Sequence, residues 1–173
     1  MLGIEKYELN YLNSCDDVIK LHKRIFNELI GKPIDSYFVQ WEKNENKWNE
    51  DGPIVILIDG KQYEFTAYQL EYSLTIDKIN LSDPLDWYGS GDEMPLEWKK
   101  NTFENINSIL NKPISKIYGL EYGQELSFHL VGFELEFDGI NDCLHISNGL
   151  DCNTMKLCRT IADDRNKRIE IKK

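Results

Sequence analysis

Tyr118 to Leu157 reads YGLEYGQELSFHLVGFELEFDGINDCLHISNGLDCNTMKL, and the reading of this stretch decides the fold. Val131, Phe133, Leu135 and Phe137 alternate with Gly132, Glu134, Glu136 and Asp138. Successive strand side chains point to opposite faces, so this period predicts one buried face and one wet face. Asp138-Gly139 supplies turn chemistry, because glycine tolerates positive φ. Cys143 to Ser147 is the next strand, with Leu144 and Ile146 on one parity and Cys143, His145 and Ser147 on the other. Asn148-Gly149 is a second turn signal. Asn153 to Cys158 reads as a third strand with Met155 and Leu157 inward. Strands joined by short turns give an antiparallel meander with a solvated side.

Upstream, Ile114 to Leu120 is a strand leading into the meander. Thr102 to Leu110 is a short helix whose apolar face is Phe103, Ile106 and Leu110, closed by Pro113. The first half has a parallel layout. Residues 1–13 are an edge strand or lead-in. Ser14 or Asp16 caps a helix whose stripe is Val18, Leu21, Ile25 and Leu29, widened by Phe26 and Ile30, with His22 at its boundary. Gly31 and Pro33 end it. Tyr37, Val39 and Trp41 share one parity of a strand over Ser36 to Glu42, and Lys43 to Gly52 is a polar loop. Ile54 to Ile58 is apolar throughout, which suits a strand covered on both faces. Asp59-Gly60 turns it into a partner bearing Tyr63, Phe65 and Ala67. Leu70, Tyr72, Leu74 and Ile76 then alternate with polar residues as a further strand. Arg168 to Lys172 (RIEIK) reads as a last edge strand.

One short pattern occurs twice. Phe26 to Asp35 reads FNELIGKPID and Ile106 to Ser115 reads INSILNKPIS. Both are a helix end, a breaker, Lys-Pro-Ile and a strand. This is what a duplicated helix-and-sheet unit over 14–77 and 102–158 would leave. Convergence of helix-to-strand turns on the same residues explains it equally.

Leu81 to Trp98 (LSDPLDWYGSGDEMPLEW) breaks the pattern with two prolines and two glycines, and is predicted to be a long loop. Long loops in small domains are often functional. This one carries five acids (Asp83, Asp86, Asp92, Glu93, Glu97), no base, and the rings of Trp87, Tyr88 and Trp98. Aromatic side chains among carboxylates suit a basic protein surface. The competing expectation is that the rings plug the end of the sheet while the acids stay solvated.

The chain's 173 residues and 41% apolar content fit a single domain, 1–173, with a full hydrophobic core. The net charge of -10 is uneven. From Cys158 to Lys173 there are six basic and three acidic residues, so residues 1–157 carry a net -13. An acidic body repels phosphate backbones and argues against nucleic acid as a partner. Residues 1–13 contain Glu5, Lys6 and Glu8 and no apolar core of a signal peptide, and no apolar run is long enough to span a bilayer. A cytoplasmic protein with no membrane partner is expected, and its four cysteines are expected to be reduced.

Three chemical constellations are open. Cys143 and His145 share a strand face, and Glu134 and Glu136 share that of the preceding strand. If the faces coincide, the four could converge on zinc, although the cysteine spacing matches no zinc pattern. A Cys-His nucleophile pair has no flanking signature. Tyr88 to Asp92 (YGSGD) contains GxG without the strand and capped helix of a phosphate loop, and reads as a turn. No catalytic residue, metal or cofactor is therefore expected.

The helix, the KPI turn, the antiparallel sheet and the closing GFELEF (Gly132–Phe137) and LHISNGLD (Leu144–Asp151) resemble the uncharacterised immunity-type proteins of low-GC Gram-positive bacteria. Those proteins accompany polymorphic or contact-dependent toxins. The resemblance covers mainly residues 102–157 and carries over no catalytic residue. It implies a cytoplasmic binder that neutralises a basic toxin domain, with Asp83, Asp86, Trp87, Tyr88, Asp92, Glu93, Glu97 and Trp98 as the expected contact residues. Two alternatives are a small-ligand-binding or enzymatic domain with a pocket at the sheet mouth, and a self-associating structural protein. The fold class expected is α+β: two helices on a largely antiparallel sheet of seven or eight strands, either barrel-like or sandwich-like. The core is predicted at Val18, Leu21, Ile25, Leu29, Ile56, Leu57, Tyr63, Phe65, Tyr72, Leu74, Ile106, Phe133, Leu135, Phe137, Leu144 and Ile146.

Overall fold

In the computed structural model, which describes residues 2–124 and 127–171, Phe133 stands between two antiparallel sheets. Met1 of the lead-in and Lys172 of the last predicted strand lie outside the described residues. The elements are β1 (Tyr11–Leu12), α1 (Cys15–Leu29), β2 (Ser36–Glu42), β3 (Lys47–Trp48), β4 (Ile54–Ile58), β5 (Lys61–Tyr68), β6 (Glu71–Ile76), β7 (Leu96–Lys100), α2 (Glu104–Asn107), β8 (Ile114–Gln124), β9 (Ser127–Phe137), β10 (Cys143–Asn148), β11 (Asn153–Cys158) and β12 (Asn166–Glu170). The fold is α+β, and the strands divide between two sheets instead of forming one. The first runs β1-β6-β5-β4-β2-β3, with β7 also on β2; the second runs β11-β10-β9-β8-β12. Neither closes into a barrel.

The split follows from the sequence pattern. Each half of the chain builds a four-stranded meander with an apolar face toward the other, β2-β4-β5-β6 and β8-β9-β10-β11. Two such faces bury each other when the sheets stack. Phe133 of β9 meets Phe65 of β5, Tyr72 of β6 and Phe26 of α1, with ring centroids 5.6, 5.9 and 5.2 Å away. The two Lys-Pro-Ile turns meet as well. Pro33 and Pro113 form an antiparallel bridge, the Gly31 N–H donates to the Ile114 carbonyl at 2.7 Å, and the Ile114 N–H donates to the Lys32 carbonyl at 2.9 Å.

Sheet one is covered on both faces, as the unbroken apolar run of β4 predicts. Ile54, Ile56 and Ile58 enter the main core. Val55 and Leu57 enter a second cluster with Leu2, Ile4, Tyr7, Ile79, Trp87 and Trp98 on the opposite face. The N-terminal segment and the 79–98 segment thus form a second layer there.

Several expectations change. Ser14 caps α1 through its Oγ, which accepts from the Asp17 N–H at 3.2 Å. The buried line of the helix is Cys15, Val18, Phe26 and Leu29, with Ile25 half-buried. Leu21 is 59% exposed, because the line passes through His22 instead. His22 is packed with both ring nitrogens buried and unbonded, and burial lowers its pKa. Leu70 is exposed at the β5–β6 turn and outside the strand. α2 is a single turn. Beyond it the Ser108, Ile109 and Leu110 N–H groups donate to carbonyls three residues back, while Ile106 and Ile109 are buried. Asparagine and serine side chains compete for local backbone and favour this tighter winding. Residues 96–100, read as the end of a loop and beyond, form β7, which pairs with β2. Pro95 hides the alternation by cutting it to five residues. The polar loop after β2 contains the short β3. Among the described residues no helix is long and apolar enough to cross a membrane.

Cys15 is packed on Gly119 of β8, where a Cβ would collide with the sulfur. Gly119→Ala is expected to cost about 1–3 kcal/mol through overpacking. Urea denaturation checks this, and adding Cys15→Ala should return part of the loss.

Candidate functional site

The predicted contact loop is divided by the fold. Trp87 and Trp98 are half-buried against the second apolar cluster, and Trp98 lies on β7 with Glu97. Tyr88 is 65% exposed and meets the Trp87 ring edge-on at 5.1 Å. Asp83, Asp86, Asp92, Glu93 and Glu97 are all exposed. Among the described residues none of these five joins an ion pair. The YGSGD segment is a turn: the Gly91 N–H donates to Asp86 Oδ1 at 3.2 Å, and a short 3-10 turn spans Gly91–Glu93.

A second cluster lies on the face of sheet two that points away from the core. That face was predicted to be wet, yet Glu134 is fully buried and Glu136 is 9% exposed. The cause is topological. β11 and β12 are opposite edges of the sheet, so residues 159–165 must cross its outer face. Four inter-strand gaps of about 4.8 Å come to about 19 Å. Eight Cα steps reach at most about 28 Å, so the segment is long enough to cross with some slack. Its anchor is Thr160, whose N–H donates to Glu134 Oε1 at 2.6 Å and whose hydroxyl donates to the same oxygen.

Beyond the strap, β12 delivers Arg168. Its Nε donates to Glu134 Oε2 at 2.6 Å, its Nη2 donates to Glu136 Oε1 at 3.0 Å, and the guanidinium stacks on Tyr118, 3.2 Å from the ring centroid. Arg159 also pairs with Glu136 at 2.8 Å. The basic C-terminal segment therefore neutralises the acidic strand of its own chain. Burial alone would raise the Glu134 pKa, but hydrogen bonds from His145, Thr160 and Arg168 outweigh it and hold the carboxyl at about 2.

Cys143, His145, Glu134 and Glu136 do share this face, since His145 pairs with Glu134 across β10 and β9. They do not form one donor set. Cys143 Sγ accepts from Arg168 at 3.4 Å, and Glu136 is taken by both arginines. The set within 4.8 Å is Glu134, His145 and Cys158. Both Glu134 oxygens are already engaged, one by a guanidinium, so a cation there would have to displace Arg168. Burial and nearby Glu134 raise the Cys158 thiol, and burial raises Cys143; both stay protonated. All four cysteines are free thiols.

Further along the same face lies an open cleft of about 520 Å³. Leu120, Val131 and Tyr122 give it an apolar floor and wall, with Leu70 and Leu150 at its mouth and His145, Ser147 and Lys167 as polar groups. Leu70 is 79% and Leu150 88% exposed. Their turns are tied together: the Asn148 side chain donates to the Gln69 and Glu71 carbonyls at 2.8 and 3.2 Å, and Asp151 Oδ1 accepts from the Gln69 N–H. The second turn has its left-handed residues at Leu150 and Asp151, not at the predicted Asn148-Gly149. Leu70 and Leu150 thus place two exposed apolar side chains at the mouth of the cleft.

Fold and site together define an α+β two-sheet sandwich with a strapped polar face and a cleft beside the strap. Comparison with known proteins returns no match: no family model, curated sequence or solved structure is similar to the chain. Sequence reasoning missed Arg168 and Thr160 as members of this face, whereas strand parity had already placed Ser147 there with Cys143 and His145. The charge contrast between the last sixteen residues and the rest was the signal for the first.

Proposed function

We propose that the protein binds a basic protein partner through the acidic loop, as an immunity protein that neutralises a toxin domain. The observation that carries this reading is a run of five exposed carboxylates, free of ion pairs among the described residues, around the exposed ring of Tyr88. Leaving like charges together costs stability, and a partner of opposite sign relieves that cost. Trp87 and Trp98 support the reading from beneath, since they fix the loop on sheet one and leave less to be ordered on binding. Complementary charge would act mainly on the rate of encounter, and Tyr88 on the lifetime of the complex.

Titration of the purified protein with basic toxin domains encoded beside it tests the reading. A complex should form at or below micromolar concentration. Asp86→Lys with Glu93→Lys should slow association about tenfold or more at low salt, with less effect at high salt. Tyr88→Ala should weaken binding about tenfold. Absence of a complex, or unchanged binding in the charge-reversed variant, would overturn it.

A further inference from the structure

At the inner end of the cleft, His145 Nδ1 lies 3.0 Å from Glu134 Oε1, and His145 Nε2 lies 2.7 Å from Ser147 Oγ. Two adjacent strands fix this line. His145 and Ser147 are two apart on β10 and so share a face, while their cross-strand partners on β9 are Glu134 and Gly132. Glu134 is an acceptor only, so it fixes the hydrogen of the neutral imidazole on Nδ1. Nε2 then presents its lone pair to the Ser147 hydroxyl. Thr154 Oγ1, 2.8 Å from Ser147 Oγ, completes the chain of hydrogen bonds. Gly132 leaves room beside the serine, since a Cβ there would stand 2.6 Å from the Ser147 Cβ.

We propose that Ser147 is a nucleophile activated by His145, that Glu134 positions the imidazole, and that the cleft accepts small carboxylic esters with an apolar acyl group. The relay is the arrangement that converts a serine hydroxyl into an attacking oxygen, and geometry identifies it whatever the chain order. Ser147 Oγ bonds to the ester carbonyl carbon as its proton passes to His145 Nε2, and the carbonyl π pair moves to oxygen. When that pair returns, the ester C–O bond breaks and the alcohol leaves with the proton from His145. A solvent water then attacks the acyl-serine, gives its proton to the same nitrogen, and the Ser147 oxygen departs with it. The products are a carboxylic acid and an alcohol. Leu120, Val131 and Tyr122 seat the acyl chain. Lys167 is the permanent cation among the described lining residues, with its Nζ over the Phe128 ring. This activity is independent of toxin binding, because the acidic loop covers sheet one and the cleft opens on sheet two.

The test is labelling of the full chain with an alkyl fluorophosphonate, followed by peptide mass spectrometry, alongside release of p-nitrophenol from p-nitrophenyl butyrate. One adduct per chain, on Ser147, is expected, together with turnover above buffer. Ser147→Ala should lose both. His145→Gln should slow labelling about 100-fold or more. Glu134→Asp, which keeps the charge, should retain more labelling than Glu134→Gln at equal folded fraction, measured by circular dichroism. Failure of the folded wild-type chain to label, or an adduct on another residue, would overturn the assignment. Labelling that survives His145→Gln undiminished would do the same.

Discussion

Phe133→Ala is expected to destabilise the protein by about 3–5 kcal/mol, which lowers the thermal midpoint by about 6–20 °C for a chain of this size. The residue is fully buried, and its ring touches one aromatic side chain from each of α1, β5 and β6. Removing it opens a cavity at a point where both sheets and the helix meet. Three elements cannot all close on that space without breaking their own ladders, so relaxation recovers little. Phe133→Leu, which keeps most of the volume, should cost less than half as much. Equilibrium unfolding in urea reads both. A loss below about 1.5 kcal/mol for the alanine variant would mean that the sheets do not share a core at this point.

That core was legible because the alternation of 133–137 states it directly; Val131, expected on the same face, instead lines the outer cleft, because a register shift opposite it turns Leu130 inward. Phe133, Leu135 and Phe137 are buried, and so are Leu144 and Ile146 on the next strand. Helical spacing was less informative. Val18 and Leu29 were placed correctly, but Leu21 and His22 are neighbours about 100° apart around the helix axis, a choice that only docking decides, and Cys15 seated on Gly119 turned the helix toward His22. The sequence left a barrel and a sandwich both open, and it did not decide between them. Period-2 patterns say that a face is buried and do not say against what.

The polar site was half legible for the same reason. Parity put Cys143, His145, Glu134 and Glu136 on one face, and the fold agrees. Parity could not reveal that the C-terminal segment crosses that face, since a strap over 159–165 has no periodicity of its own. In the acidic loop, composition gave the exposed carboxylates and the exposed Tyr88. It did not separate them from Trp87 and Trp98, whose partners on the far side of β4 come from the N-terminal segment.

Glu134→Gln should have the other large effect, about 3–5 kcal/mol, because it removes the fully buried counter-charge of the 13% exposed Arg168 guanidinium and leaves it only Glu136, which Arg159 shares. The amide can keep one hydrogen bond to the strap but cannot accept equally from His145, Thr160 and Arg168. Replacing both partners, Glu134→Gln with Arg168→Met, should cost less than the sum of the single changes, which identifies the loss as an unpaired charge. The wild-type contribution also depends on pH, with a definite sign. The Glu134 pKa is depressed from 4.5 to about 2, so between these values the unfolded chain takes up a proton that the folded chain does not. The stabilisation is complete above about pH 4.5 and is lost as pH falls toward 2. Buried Glu64 is shifted the opposite way, chiefly by burial, and would blur a single acid titration. The difference in stability between wild type and Glu134→Gln removes that contribution, since Glu64 is common to both. This difference should shrink steadily from pH 5 to pH 2. A gap that stays constant over that range would mean that Glu134 is not held ionised by the strap and Arg168.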